Sequence, residues 1–267
     1  MQARRMLNFY PLPPSKYPFM RVVFLGTNGW YDTETGNTVC TLVEAGPWRI
    51  LLDAGNGIRR LDGPLGDREH PVQLFLSHFH LDHVAGLHIL GRFDFPGGIE
   101  IRGQPGTTDA LTTLLAQPFT VPYRNLPYPV TISDLTEGTH HVPYRVTCRY
   151  LPHASPCFGY RFELEGRTIA YCTDTGPSPA VVELARDADL LIAESAMKPG
   201  QENGDWPHLN PKLAVDLAKA AGARRLALTH FDAWAYRTLG ERLAASEEFR
   251  ESFPALTVAT DGMVLEL

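Results

Sequence analysis

Cysteine is scarce in this chain, and its spacing forms no motif. The four cysteines, Cys40, Cys148, Cys157 and Cys172, include no Cys-x-x-Cys pair. Scattered single thiols are typical of reduced proteins rather than of proteins built on a disulfide framework. We therefore expect free thiols, with two disulfides as the alternative.

Positive charge is also in deficit. The chain has 24 Lys and Arg against 30 Asp and Glu, which gives a formal net charge of -6. A broad basic surface for polyanions is not expected from such a balance, so we expect no bulk nucleic-acid binding. A cleft holding divalent cations would still be locally positive.

Long apolar runs are absent as well. No uninterrupted apolar segment of about 18 residues occurs, so we expect no membrane span. The opening residues carry basic side chains without the apolar core of a secretory signal, and the cytoplasm is the expected location. We interpret residues 1–19 as an irregular arm before a single domain over residues 20–267. The chain also lacks the Gly-x-Ser-x-Gly elbow that presents a nucleophilic serine.

Short apolar or alternating runs rich in β-branched residues predict strands in both halves of the chain. They span residues 20–25, 38–43, 48–52, 72–76, 144–151, 158–164, 168–173, 190–193, 225–229 and 256–265. Between them, Asn210 and Pro211 predict a helix start and Gly222 its end, and further helices are expected from Thr107 and from Ser178. This pattern predicts an α/β fold of two β-sheets packed face to face with helices outside.

Three imidazoles and a carboxylate follow the strand at residues 72–76 within one short segment, Ser77-His78-Phe79-His80-Leu81-Asp82-His83. Because a strand alternates its side chains with period two, His78 and His80 are expected on one side and able to bind one ion. The chain then turns and offers Asp82 and His83 to a second ion. Imidazole and carboxylate are ligands of zinc and its first-row neighbours.

Three more candidate ligands follow predicted strands directly. His153 comes after the strand ending at Leu151, Asp174 after Ile-Ala-Tyr-Cys-Thr, and His230 after Leu-Ala-Leu-Thr. A rigid strand end aims a ligand well, and a site for two ions needs about seven protein ligands. Two ions together lower the pKa of a shared water and hold the group under attack, so a metal-bound hydroxide is the expected nucleophile.

These motifs, in this order, resemble the metallo-β-lactamase superfamily from about Arg21 to the end of the chain. The resemblance implies a four-layer αββα sandwich of two mixed β-sheets and two divalent ions, with zinc first and manganese or iron as alternatives. It implies these ligands: His78, His80 and His153 for one ion, Asp82, His83 and His230 for the other, and Asp174 as a bridge. Asp53, in Leu-Leu-Asp-Ala-Gly, is implied to accept a proton from a ligand imidazole and fix its tautomer.

One further feature resembles the tRNA 3′-processing nucleases and related phosphodiesterases of the superfamily. Glu194 ends a predicted strand, and His208 lies 22 residues before His230. The resemblance implies that His208 contacts the scissile phosphate or protonates the leaving oxygen, that Glu194 orients its ring, and that Asp82 also takes part in catalysis. A capping or solvent-exposed histidine is the alternative for His208.

The spacing of the motifs favours a small substrate. In tRNA-processing members a long arm separates the third-motif histidine from the bridging aspartate, whereas only 21 residues separate His153 from Asp174. This spacing resembles the compact bacterial phosphodiesterases that open cyclic ribose phosphates, although the cysteine-rich zinc site of those proteins is reduced here to Cys40. We expect a dinuclear phosphodiesterase for a small or cyclic phosphodiester, with a lactone or thioester hydrolase as the alternative. A tRNA 3′-processing endonuclease is less favoured, and analogy suggests a homodimer.

Several other residues are candidates for the surroundings of the site. Trp206, Tyr123 and Trp234 are candidates for the cleft lining, since aromatic faces stack on bases or leaving groups. Core packing is favoured for Trp234, and both positions are open for Trp206 and Tyr123. The proline-rich segment Pro118–Pro129 is expected as a loop near the cleft entrance, with a plain connector as the alternative. His140 and His141 are expected in a solvated turn.

Overall fold

The computed structural model describes residues 20–61, 70–201 and 203–267. The predicted arm at residues 1–19 lies outside this part. The strands of the first half are β1 (Met20–Gly26), β2 (Asn28–Gly29), β3 (Cys40–Ala45), β4 (Trp48–Leu52), β5 (Val72–Phe75), β6 (Ile99–Gly103) and β7 (Val130–Asp134). Those of the second half are β8 (Gly138–Val142), β9 (Tyr144–Leu151), β10 (Cys157–Leu164), β11 (Arg167–Cys172), β12 (Leu190–Glu194), β13 (Leu226–Thr229), β14 (Phe231–Asp232), β15 (Leu256–Val258) and β16 (Val264–Glu266).

Helices connect and cover these strands. The α-helices are α1 (Leu81–Val84), α2 (Thr107–Leu114), α3 (Pro179–Leu184), α4 (Pro211–Ala221) and α5 (Leu239–Glu247), and 3-10 helices span Asn56–Arg60, Ala85–Arg92 and Tyr123–Asn125. In the described part of the chain, no helix is long and apolar enough to cross a bilayer.

The two large sheets have related topologies. The first has the order β16-β1-β3-β4-β5-β6-β7, and the second has the order β15-β13-β12-β11-β10-β9-β8. In the first sheet, β1, β3 and β4 pair antiparallel and β4 to β7 pair parallel. In the second sheet, β8 to β11 pair antiparallel and β11, β12, β13 and β15 pair parallel. Both sheets are therefore mixed, as predicted.

Alternate residues of single strands point into different layers. Ile50 and Leu52 belong to the core cluster between the sheets, whereas Leu51 belongs to the cluster outside the first sheet. In β12, Ile192 faces the same central core and Leu191 packs outward against α3 and α4. Because both faces of each sheet are covered, the central strands are largely apolar. The result is the predicted four-layer αββα sandwich.

Helix α4 follows directly from its sequence. The Asn210 side chain accepts a hydrogen bond from the Leu213 N–H at 3.0 Å, and Pro211 occupies the first turn. Gly222 ends the helix in the left-handed conformation, with φ of 67°. Helices α2 and α3 also begin at the predicted positions.

The structure corrects several predictions at the sheet edges. The predicted strand at residues 256–265 is two strands in different sheets, because Gly262 with φ of 84° reverses the chain between β15 and β16. Strands β6, β7 and β8 were not predicted, and His140 and His141 lie in β8 rather than in a turn. Edge strands β7 and β8 are partly exposed on both faces, so they lack the apolar runs on which the prediction relied.

Candidate metal centre

The candidate ligands lie where strands of both sheets end. The segment Ser77–His83 follows β5, and Asp53 follows β4 in the first sheet. In the second sheet, Asp174 follows β11 and His230 follows β13. Asp53, Asp174 and His230 have positive φ angles of 57°, 52° and 51°, which non-glycine residues adopt infrequently. Such backbone strain concentrates at functional sites, where the surrounding structure holds it in place.

The first group of candidate ligands joins His78, His80 and His153 with Asp174, and their ligand atoms all lie within 4.8 Å of one another. His153 Nε2 is 3.3 Å from His80 Nδ1 and 3.7 Å from Asp174 Oδ2. His78 Nε2 is also 3.7 Å from Asp174 Oδ2. The three imidazoles therefore surround one carboxylate oxygen.

The second group joins Asp82, His83 and His230. His230 Nε2 lies 3.0 Å from His83 Nε2 and 3.3 Å from Asp82 Oδ2. Asp174 faces this group with its other oxygen, because Oδ1 is 3.1 Å from His230 Nε2 and 3.3 Å from His83 Nε2. Asp174 thus lies between the two groups with one oxygen toward each.

These distances fit divalent metal ions. Ligands about 2.0–2.1 Å from a tetrahedral zinc ion are about 3.3 Å apart, close to the separations in both groups. His78 Nε2 is buried and has no hydrogen-bond partner among the described residues, so its lone pair is free for a cation. Two imidazole nitrogens 3.0 Å apart, as in His83 and His230, also require a proton or a cation between them. The seven side chains are therefore a fitting donor set, and their role as ligands stays a prediction.

Asp53 holds the imidazoles of His83 and His78, directly and through Ser77. It is fully buried, and its Oδ2 accepts a hydrogen bond from His83 Nδ1 at 2.9 Å and from the Tyr171 hydroxyl at 2.7 Å. The Ser77 N–H and hydroxyl also donate to this carboxylate, at 2.7 Å and 2.9 Å. Because the Ser77 hydroxyl donates its hydrogen to Asp53, its oxygen accepts a hydrogen bond from His78 Nδ1 at 3.0 Å. This network leaves Nε2 of both histidines free to bind an ion, and the role of Asp53 in fixing the tautomer stays a prediction.

The surroundings also shift the pKa values of the imidazoles. Burial lowers the pKa of His78, His80 and His153, which favours the neutral form that binds metal. Burial acts in the same direction on His83 and His230, but the charges of Asp174 and its neighbours outweigh it and raise the pKa of both. The carboxylates of the second group therefore stabilise a positive charge at this position.

His208 and Glu194 form a pair beside these groups. Nδ1 of His208 donates a hydrogen bond to Oε1 of Glu194 at 2.7 Å, and the Glu194 carboxylate is fully buried at the end of β12. Burial lowers the pKa of His208, but the charge and hydrogen bond of Glu194, with Asp174, outweigh it and raise this pKa to about 9. His208 also forms an overlapping cluster with Asp174 and His230, so its ring borders the same reaction centre.

A cleft of about 730 Å³ opens over the site. Its lining includes His80, Asp82, Asp174, His208 and His230, together with Gly29, Trp30, Leu81, Ala196, Met197, Asn203, Trp206 and Asp232.

The aromatic candidates differ in their position relative to this cleft. Trp206 lines it, whereas Tyr123 lines a different surface groove, beside the Ala85–Arg92 helix. The proline-rich segment contributes to that groove and supplies no residue of the cleft lining, so its expected position at the entrance is wrong. Trp234 is 64% exposed rather than a core residue.

Four site residues have no counterpart in the sequence-based candidates. Ser77 and Tyr171 hold Asp53, and the Trp30 N–H donates to Asp82 Oδ2 at 2.7 Å. A side chain on Gly29 would put its Cβ 2.5 Å from the His230 ring. Ser77 opens the histidine-rich segment, and Gly29 ends the segment Phe-Leu-Gly-Thr-Asn-Gly, which resembles the opening turn of the superfamily. Trp30 and Tyr171 act across long separations in the chain and carried no such signal.

Known proteins are similar to this chain in sequence and in structure. Ribonuclease Z of Nostoc punctiforme is 27% identical to this chain, and the alignment covers 93% of this chain and 96% of that protein. The metallo-β-lactamase fold protein YhfI from Bacillus subtilis has a TM-score of 0.74 at 23% identity, covering 93% of this chain and 100% of that one. A diphosphatase from the PhnP family has a TM-score of 0.68 at 17% identity, covering 93% and 97%.

A family model also matches the chain. The model, described as a β-lactamase superfamily domain, covers residues 48–231, which contain Asp53 and all seven candidate ligands. That range is more than half of the 267 residues. The chain therefore belongs to the β-lactamase superfamily.

Proposed function

We propose that this metal-dependent hydrolase is a phosphodiesterase that cleaves a small or cyclic phosphodiester. The observation that carries the proposal is the pair of His208 and Glu194, because Glu194 holds His208 in the lining of the cleft that also contains residues of both candidate metal groups. Hydrolysis of a phosphodiester expels an alkoxide, and an alkoxide needs a proton from a neighbouring acid. A thioester expels a thiolate, which depends much less on such a donor, whereas a lactone also expels an alkoxide, and the substrate panel below separates lactones from phosphodiesters.

The seven candidate ligands would hold two divalent ions, and we propose zinc, with manganese or iron as alternatives. When bound, such ions supply a Lewis acid for the phosphoryl oxygens and lower the pKa of a water molecule. Asp82 lines the cleft and its Oδ2 is oriented by the Trp30 N–H. We propose that Asp82 takes up the proton released by the attacking water, besides its part in metal binding.

His208 supplies the proton on the opposite side of the reaction. Its Nδ1 is tied to Glu194, which leaves Nε2 as the nitrogen that faces the leaving oxygen. Because Glu194 raises the pKa of His208, the ring is protonated at neutral pH and carries a positive charge toward the phosphate. Glu194 acts through His208 as a positioning residue and does not touch the substrate.

A specific observation favours ribonuclease Z activity as the second candidate, since curated relatives at 27% identity bear that name. The alignment with the Nostoc punctiforme protein runs over 316 residues, more than the 267 of this chain, so that protein contains segments absent here. Between His153 and Asp174 the chain forms only the hairpin of β10 and β11, without the arm expected of tRNA-processing members. These differences support the small substrate.

A substrate panel tests the proposal. We expect purified, metal-loaded protein to hydrolyse bis-aryl phosphate and a 2′,3′-cyclic phosphate in preference to a lactone, a thioester and a tRNA precursor with a 3′ trailer. Preferential cleavage of the precursor would favour the second candidate, and preferential lactone or thioester cleavage would refute both. A homodimer stays a prediction of the resemblance, which light scattering tests.

A His208→Ala variant tests the residue roles. We expect turnover of the phosphodiesters to fall by about 10²- to 10⁴-fold, the usual contribution of a general acid. Elemental analysis should still find close to two metal ions per chain. Unchanged turnover would remove His208 from the mechanism, and loss of metal would make it a ligand instead.

A further inference from the structure

The cleft over the site is larger than a phosphate group needs. Its volume of about 730 Å³ lies in the range of sites that bind whole small molecules. The histidines and aspartates of the metal groups are mostly buried, whereas Trp30 and Trp206 in the same lining are 65% and 47% exposed. The cleft therefore combines a polar reaction centre with two large aromatic side chains that solvent reaches.

Trp206 is held by the site itself. Its ring stacks nearly parallel on the His80 imidazole, with centroids 5.5 Å apart and an interplanar angle of 9°, and lies edge-on to His153 at 5.7 Å. The Asn203 side chain accepts a hydrogen bond from the backbone N–H of Trp206 at 3.2 Å, which holds the loop between these two residues. A ring that is packed against a candidate ligand and still half exposed presents a flat apolar surface beside the reaction centre.

Trp30 has a strained backbone conformation. Its φ of 73° lies in the left-handed region, where glycine is unstrained and a bulky residue is a rare outlier. Its contribution to the site's polar network is the backbone N–H that donates to Asp82, and a glycine would supply that group without strain. The exposed indole is therefore the part of Trp30 that needs a function.

The charge of the lining limits what these rings can bind. Among the described residues that line the cleft, none is Lys or Arg, and Asp82, Asp174 and Asp232 are acidic. A polynucleotide needs basic side chains along its backbone, because each phosphate adds a negative charge. A ligand with a single phosphodiester needs only the metal groups and His208, and its remaining part meets aromatic and apolar side chains.

We propose that the cleft selects phosphodiesters that carry a nucleobase, which stacks on Trp206 and is covered by Trp30. The proposal rests on the proposed phosphodiesterase function and names its substrate class. Trp206 and Trp30 are then specificity-determining residues, because every nucleobase has a flat face that stacks on an aromatic ring.

Two matched substrates test the proposal. Adenosine 2′,3′-cyclic phosphate and 1-O-methylribose 2′,3′-cyclic phosphate share the reacting group and differ by the base. We expect kcat/KM to be about tenfold to a hundredfold higher for the first, the range that stacking of one base provides. Equal kcat/KM values would overturn the proposal.

Variants then test the two rings through the ratio of these kcat/KM values, which cancels any loss common to both substrates. We expect Trp206→Ala and Trp30→Gly to bring the ratio toward one, and Trp206→Phe to keep part of it. Trp30→Gly retains the backbone N–H at Asp82 and suits the positive φ. Trp234→Ala is the matched control, since Trp234 is 64% exposed but lies outside the cleft lining. A ratio that survives in both Trp206→Ala and Trp30→Gly would overturn the assignment.

A binding measurement separates this proposal from the proposed function. We expect isothermal titration of the metal-loaded protein to give a Kd for AMP about tenfold or more below that for ribose 5-phosphate. Equal Kd values would overturn the stacking proposal, whatever the protein hydrolyses. Tight AMP binding without turnover of either cyclic phosphate would support stacking and remove the phosphodiesterase function alone.

Discussion

Replacing Glu194 by glutamine tests how the site controls His208. The Glu194 carboxylate is fully buried and accepts three hydrogen bonds. Oε1 accepts from His208 Nδ1 and from the Thr175 N–H, both at 2.7 Å, and Oε2 accepts from the Ala196 N–H at 3.1 Å. Glutamine preserves the shape of the side chain but removes its charge and replaces one acceptor by a donor.

The cost in stability follows from this arrangement. With the amide oxygen at the Oε1 position, glutamine still accepts from His208 and Thr175, but its NH₂ group then faces the Ala196 N–H. The Ala196 N–H and the new NH₂ group are then two buried donors without an acceptor, and each costs about 1–3 kcal/mol. The opposite orientation sets the NH₂ group against both other donors and is less favourable. We expect the free energy of unfolding to fall by about 2–6 kcal/mol, measured by urea denaturation.

The effect on catalysis has a defined sign. Because the charge of Glu194 raises the pKa of His208, its removal lowers that pKa, and the ring loses its proton at lower pH. A general acid must be protonated, so the alkaline limb of the kcat profile should move to lower pH. We expect kcat at pH 8 to fall about tenfold to a hundredfold, and more for an alkyl than for a p-nitrophenyl leaving group, because the poorer leaving group depends more on the proton.

The double variant Glu194→Gln/His208→Ala decides whether the two residues act as one unit. If Glu194 acts only through His208, the double variant should be no slower than His208→Ala alone. A loss equal to the product of the two single effects would refute the reasoning, as would an unmoved alkaline limb. Glu163→Gln is the control, because Glu163 pairs with Arg161 at 2.9 Å on β10 and contacts none of the site residues.

Three further predictions concern the metal groups. Gly29→Ala should abolish most activity, because its Cβ would lie 2.5 Å from the His230 ring, whereas Gly204→Ala meets no atom within 4 Å and should match the parent in the same assay. Asp53→Asn should weaken metal affinity about tenfold to a hundredfold through His83; an unchanged Kd in metal titration would contradict this. Dialysis against a chelator should abolish turnover and lower Tm, and added zinc should restore both; full activity without metal would exclude the dinuclear site.

Much of the fold was readable from local sequence, because its causes are local. The cap at Asn210 and the stop at Gly222 each act within a few residues, so the limits of α4 follow from its own sequence. The central strands could be predicted because both of their faces are buried and largely apolar, which gives apolar runs in the sequence. Strand β7 and strand β8 were missed because they are sheet edges, and burial there depends on neighbours distant in the chain.

For the site, the sequence by itself determined which ligand-type residues follow which strands, and its resemblance to the superfamily implied the set of seven candidate ligands, Asp53 and the pair of Glu194 and His208. Only the tertiary structure decided that the two oxygens of Asp174 face different groups, since this depends on how the two sheets pack. It also brought the Tyr171 hydroxyl to Asp53 and the Trp30 N–H to Asp82. The residues of these two contacts are separated by 52 and by 118 positions in the chain. Such contacts leave no periodic pattern in a sequence, because no local preference encodes them.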